Sequence, residues 1–211
     1  NPPTNPELYD ALGKKLVEYR YDLKQLVRDI CNSNAYQRSS QINPSNEHDL
    51  QNFSRAQIRR IPAEMLIDCI VQVTESPEKF PGLPLGARAA QIADGRANHY
   101  FLKTFGRAQR DTVCACETKA EPTLSQALHL LNGNTVHGKV AEGKLIERRL
   151  DEGKTPKEIV DEIYRRCLVR GPTEQEAADV AALVGESERP VAELQDIFGA
   201  VLNSREFLFS H

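Results

Sequence analysis

The chain has 211 residues, with 27 Lys and Arg against 30 Asp and Glu, for a formal charge of −3. A pI near 6.0 and a mean hydropathy of −0.50 provide no polycation for a nucleic-acid partner. No apolar run reaches the roughly 18 to 20 residues that span a bilayer. The length suits one large domain or two small ones with a substantial core.

Helical signals dominate from the start. Asn5-Pro6-Glu7 pairs an N-cap with proline at the first helical position, and Leu8, Leu12, Leu16 and Tyr19 follow on one face. A second helix is expected from Asp22, carrying Leu23, Leu26, Val27 and Ile30 inward and ending at Asn32-Ser33. Residues 39–52 are polar and include Pro44, so they predict a surface loop. A third helix begins near Pro62 and runs through Met65, Leu66, Cys69, Ile70 and Val73. Between Glu75 and Gly95 the pattern collapses under Pro77, Pro81, Gly82, Pro84 and Gly86. A loop of that length in a compact domain is usually functional or mobile. Residues 98–105 allow two helical turns anchored by Tyr100, Phe101 and Phe105.

The second half repeats these signals. Leu124 to Leu131 is apolar and helical, and Asn134-Thr135 can cap a helix through Val136, Val140, Leu145, Ile146 and Leu150. Gly138 and Gly143 weaken that helix by about 1 kcal/mol each relative to alanine. Thr155-Pro156-Lys157-Glu158 and Thr173-Glu174-Gln175-Glu176 read as capping boxes. Ile159, Ile163, Tyr164, Cys167 and Leu168 share a stripe, and a last helix carries Val191, Leu194, Ile197, Val201 and Leu202. No run alternates long enough for a strand. The expected fold is all-α, an irregular multi-helix bundle with a long Pro/Gly-rich central loop. It is read as a single helical domain over 1–211, with sub-parts 1–74 and 97–211 joined by loop 75–96. Two helix ends also echo each other, Asn32-Ser33 with Tyr36 and Asn203-Ser204 with Phe207. The shared needs of any helix end account for this more simply than duplication.

The segment from Phe105 to Gly133 concentrates charge, thiols and a backbone break, holding Arg107, Arg110, Asp111, Cys114, Cys116, Glu117 and Lys119 before an apolar helix ending at Asn132-Gly133. Arg107 and Arg110 suit bidentate binding of a carboxylate, phosphate or sulfate. Equally, they suit an internal network with Asp111, Glu117 or Asp68 that pins the preceding loop, and Gln126 and Asn132 can satisfy loop backbone in the same way. The balance favours the clamp. Arg55, Arg59 and Arg60 read as a solvated helix face or an acid-pairing surface rather than a nucleic-acid site. Five cysteines leave at least one unpaired or paired between chains. Cys114-Ala115-Cys116 is not a haem-attachment motif. It is compatible with a disulfide to Cys31, Cys69 or Cys167, with free thiols, or with a metal site completed by His99, His129 or His137. Histidine spacing argues against the metal, and Cys69 and Cys167 look like core residues. No cofactor is expected.

The chain resembles the planctomycete-specific C-terminal domain of unknown function (domain of unknown function 1553). The resemblance lies in Asn1-Pro2-Pro3-Thr4-Asn5-Pro6-Glu7-Leu8, in Tyr21 to Val27, and in Phe105-Gly106-Arg107 with Arg110. It continues through Cys114-Ala115-Cys116-Glu117, Pro122 to Leu128, Pro172 to Glu176 and Leu202 to Leu208. Ala108 stands where proline is expected, and Thr118 where arginine often follows. The resemblance implies an extracytoplasmic location in a large multidomain protein, of which this is the C-terminal portion. Partners would be other domains or an N-terminal portion of the same protein, including a cytochrome c domain. The chain opens without methionine or a signal-type segment, so a processed or excised piece is expected. Three functions compete: a non-catalytic domain with a binding surface around the central loop; part of an enzyme site using Asp94, Asp111 or Glu117 on a polysaccharide; and a metal or redox accessory using Cys114 and Cys116. Without a recognisable triad, phosphate loop or metal motif, the first is favoured.

Overall fold

The structure, a computed structural model, describes residues 3, 5–49, 53–93, 98–108, 126, 134–185 and 189–210. The fold is all-α, and the chain divides into two compact units, Asn1–Arg59 and Arg60–Ser210. The Pro/Gly-rich loop after Thr74 lies inside the second unit.

The first unit is built on α1 (Pro6–Glu18) and α2 (Leu23–Cys31). Asn5 Oδ1 accepts the Leu8 amide at 3.0 Å, and Asp22 Oδ1 accepts those of Lys24 and Gln25 at 2.9 and 3.1 Å. Each cap relieves amides that have no partner inside the helix. Arg20 and Tyr21 adopt positive φ of 52° and 65° between the helices, and the Tyr19 hydroxyl donates to Asp29 Oδ2 at 2.5 Å across the pair. The inward face expected of α2 is a correction. Neither helix buries a residue, and Leu23, Val27 and Ile30 are exposed. Periodicity makes a helix amphipathic, but cover must come from another element, and among the described residues none buries this face.

The second unit holds α3 (Ala63–Thr74), α4 (Tyr100–Thr104), α5 (Asn134–Gly143), α6 (Leu145–Asp151), α7 (Pro156–Leu168), α8 (Glu174–Gly185), α9 (Pro190–Leu202) and α10 (Arg205–Leu208). The core gathers Leu66, Ile67 and Ile70 of α3, Phe101 and Leu102 of α4, Ile159 and Ile163 of α7, and Leu194, Phe198 and Leu202 of α9. α9 is the hub, packing on α5, α6, α7, α8 and α10. Thr155 and Glu158 form the reciprocal capping box that starts α7. Ile61 N–H donates to the Leu208 carbonyl at 3.0 Å, joining the beginning of the unit to its end.

The single helix expected from Val136 to Leu150 is broken. Lys144 takes a left-handed conformation, φ 50°, and separates α5 from α6. Just before the break, a Cβ on Gly143 would lie 1.8 Å from the Thr74 carbonyl oxygen. The bare glycine lets α5 close onto the end of α3. The loop is less bare than its composition suggests. Phe80, Ala89 and Ile92 are buried within it, and a 3₁₀ turn spans Ala89–Gln91. In residues 98–105, Phe101 and Phe105 are buried anchors, stacked with centroids 4.2 Å apart, whereas Tyr100 is exposed.

Candidate functional site

Arg107 and Gln126 meet around the end of α4. Gly106, at φ 79°, turns the chain out of the helix. The Arg107 amide then reaches back to the Leu102 carbonyl at 2.9 Å, while the Gly106 amide bonds that of Lys103 at 3.3 Å. This paired closure of a helix end depends on a residue free to take positive φ. Two further carbonyls are taken by side chains. Gln126 Nε2 donates to Thr104 at 2.9 Å, and an Arg60 terminal nitrogen donates to Phe105 at 2.9 Å. The other Arg60 terminal nitrogen bonds Gln126 Oε1. Arg60 is therefore half-buried, and burial pushes its guanidinium down, in contrast to the solvated face expected of it.

The Arg107 side chain is buried. Its Nε contacts Glu64 Oε1 at 3.0 Å, and a terminal nitrogen donates to the Ile92 carbonyl at 3.1 Å. It thus joins α3 to the far end of the loop. Glu64 is an anionic partner that sequence reasoning did not name; it lies 43 positions away. Asp68, proposed as that partner, instead caps the 3₁₀ turn. Its Oδ1 accepts the Ala89 amide at 2.6 Å, and Arg88 Nε lies 3.5 Å from Oδ2. Arg110, Cys114, Cys116, Glu117 and Asn132 lie outside the described residues, as do Asp94, Asp111 and His129.

A second cluster joins residues far apart in sequence. Lys139 Nζ is buried 2.9 Å from Glu78 Oε2 and donates to the Ser76 carbonyl at 3.4 Å. His99 Nε2 stands 3.8 Å from Glu78 Oε1, and its Nδ1 is buried without a hydrogen-bond partner among the described residues. The ring lies 5.0 Å from that of Phe80. Burial would raise the Glu78 carboxyl, but the Lys139 bond and the Lys79 amide hold it below its usual range. The legible signal was Lys139 itself, a lysine at helical spacing from Val136, Val140 and Gly143 on an otherwise apolar stripe.

Elsewhere, charge is organised into surface ties. Glu162 receives Arg149 at 2.9 Å, Lys154 at 2.7 Å and Arg166 at 2.9 Å. Burial opposes its ionisation, yet the bonds from Arg149 and Lys154 hold its carboxyl down to about 2. Glu75 bridges Arg148 and Arg166, both at 2.5 Å. Arg170 grips Glu176 at 2.8 Å and Glu206 at 2.7 Å. Cys31, Cys69 and Cys167 are free thiols. Cys69 and Cys167 pack against the core, and burial pushes the Cys167 thiol up to about 12, leaving it inert. Among the described residues, no group of three or more His, Cys, Asp or Glu could hold a metal, and no helix is long and apolar enough to cross a membrane. An apolar groove of about 480 Å³ opens between α7 and α8, lined by Val160, Pro172, Ala177, Val180, Ala181 and Val184.

A family model described as PSD1, protein of unknown function (DUF1553), matches residues 1–184. The chain belongs to this family. Neither a curated protein nor a solved structure matches it significantly. The family's function is unknown.

Proposed function

We propose that the chain is a non-catalytic helical interaction domain of a large extracytoplasmic protein. Its first unit docks another domain of that protein, and the cytochrome c domain suggested by the family resemblance is one such neighbour. The observation behind this is the uncovered apolar surface of α1 and α2. Leu8, Tyr9, Val17, Leu23 and Val27 are each more than half exposed, from 54% to 68%. Single exposed apolar residues are ordinary, but Leu23, Val27 and Ile30 recur at helical spacing on one face, the pattern of a helix that packs on something. The buried cations of the second unit, by contrast, are engaged with protein groups. Arg107 holds Glu64 and Ile92, and Lys139 holds Glu78 and Ser76.

The test is isothermal titration of this chain into the separately expressed remainder of its full-length polypeptide. Saturable binding is expected, and Leu23→Asp with Val27→Asp should weaken it at least tenfold, about 1.4 kcal/mol, while the chain's own thermal midpoint stays unchanged. No binding by the native chain, or equal binding by the double variant, would sink the proposal.

A further inference from the structure

Three segments of the second unit place one carboxylate between two nitrogen bases. Glu78 comes from the loop, His99 from the residue before α4, and Lys139 from the inward side of α5. The carboxylate is already committed to Lys139 at 2.9 Å, while His99 Nε2 remains 3.8 Å away, beyond hydrogen-bonding distance. Among the described residues, His99 Nδ1 has no acceptor in its buried setting. The next anion, Glu142, faces the Ser76 hydroxyl at 3.1 Å. A neutral imidazole against Phe80 fits these surroundings. A protonated one does not, because it places a second cation beside Lys139 and an N–H where no described group accepts it.

We propose that Glu78, His99 and Lys139 form an acid-sensitive latch, in which protonation of His99 releases the segment 76–92 from the helices it covers. That segment is tied to α3 by the Ala89 amide on Asp68 Oδ1 at 2.6 Å. Glu78 and Phe80 attach it beside His99, and the Gly86 amide closes it on the Glu78 carbonyl at 3.0 Å. Burial pushes the His99 imidazole below its usual value, outweighing the attraction of Glu78. A base whose folded value lies below its unfolded value stabilises the fold above the unfolded value. That stability is lost as pH falls from about 6.5 toward the folded value. The latch is therefore closed at neutral pH and opens on mild acidification.

Hydrogen exchange of the Ala89 amide, which bonds Asp68 Oδ1 on α3 at 2.6 Å, corrected for intrinsic rate and measured on the full chain from pH 7.5 to 5, tests the latch beside a nuclear magnetic resonance titration of the His99 ring. Protection of Ala89 should fall at least tenfold, with a midpoint that tracks the imidazole. His99→Phe keeps a ring against Phe80 and removes the titration, so its protection should stay flat. Three outcomes overturn the proposal: constant protection in the native chain, a fall whose midpoint follows carboxylates near pH 4, or an unchanged fall in His99→Phe. The first two need no variant to fold.

Discussion

Tyr36 and Phe207 each donate a backbone amide to the serine three residues earlier, Ser33 or Ser204, at 3.2 Å. Each follows a helix whose C-cap asparagine, Asn32 or Asn203, stays right-handed, with φ of −86° and −93°. The two sites nevertheless end differently, because Tyr36 is 65% exposed while Phe207 is 5% exposed and joins the core. Local hydrogen bonding can thus be reproduced in both units while the outcome is decided by what lies opposite. The first unit is held by caps and the Tyr19–Asp29 tie. The second is held by packing around α9, the usual source of helical stability in water.

The largest effect should separate the units by core truncation. Phe198 is fully buried on α9, so Phe198→Ala should cost about 3–5 kcal/mol through lost burial and the cavity left behind. Leu23→Ala, on the exposed face of α2, should cost less than about 0.5 kcal/mol. Urea unfolding followed by circular dichroism measures both, and equal losses would erase the contrast. Glycine sharpens it further. Gly143→Ala drives a Cβ into the Thr74 carbonyl, which is backbone and cannot swing aside, and should cost at least about 2 kcal/mol. A Cβ added at Gly13 in α1 would meet nothing within 4 Å, so Gly13→Ala should stabilise by about 0.5–1 kcal/mol. Thermal denaturation should therefore show shifts of opposite sign for the same change.

The same division governs what was legible in sequence. Caps are local, so Asn5, Asp22 and Thr155 could be identified as helix starts and are found at those starts. The all-α class followed from such signals. What they could not show was cover: the stripe Leu23, Val27 and Ile30 looks like a buried face and is exposed. The close approach at Gly143 was equally hidden, since its need for a bare Cα shows only with Thr74 against it. Around the loop, the polar residue types were visible but their partners were not. Glu64 stands 43 positions from Arg107, and Ser76 stands 63 from Lys139. Pairings between distant segments follow from the packed helices, which is why His99 was weighed only as a metal ligand.

The smallest effect is electrostatic and should again distinguish the units. In the first, Lys15 and Glu18 pair at 3.1 Å with side chains 49% and 62% exposed, so water and salt screen the pair and its loss should not register. In the second, Glu162 gathers three cations with a side chain only 19% exposed. Its carboxyl is depressed from 4.5 to about 2. A carboxyl lowered by folding contributes stability that is present above its unfolded value and lost as pH falls through its folded one. Glu162→Gln should therefore cost about 1 kcal/mol at pH 7, given that the network lies near the surface. The gap to the native chain should close as pH drops from 4.5 toward 2. Urea midpoints of the two proteins across that range measure it. A gap that persists at the acid end would mean that Glu162 supports α7 by packing rather than by charge, and the electrostatic half of the contrast would fall.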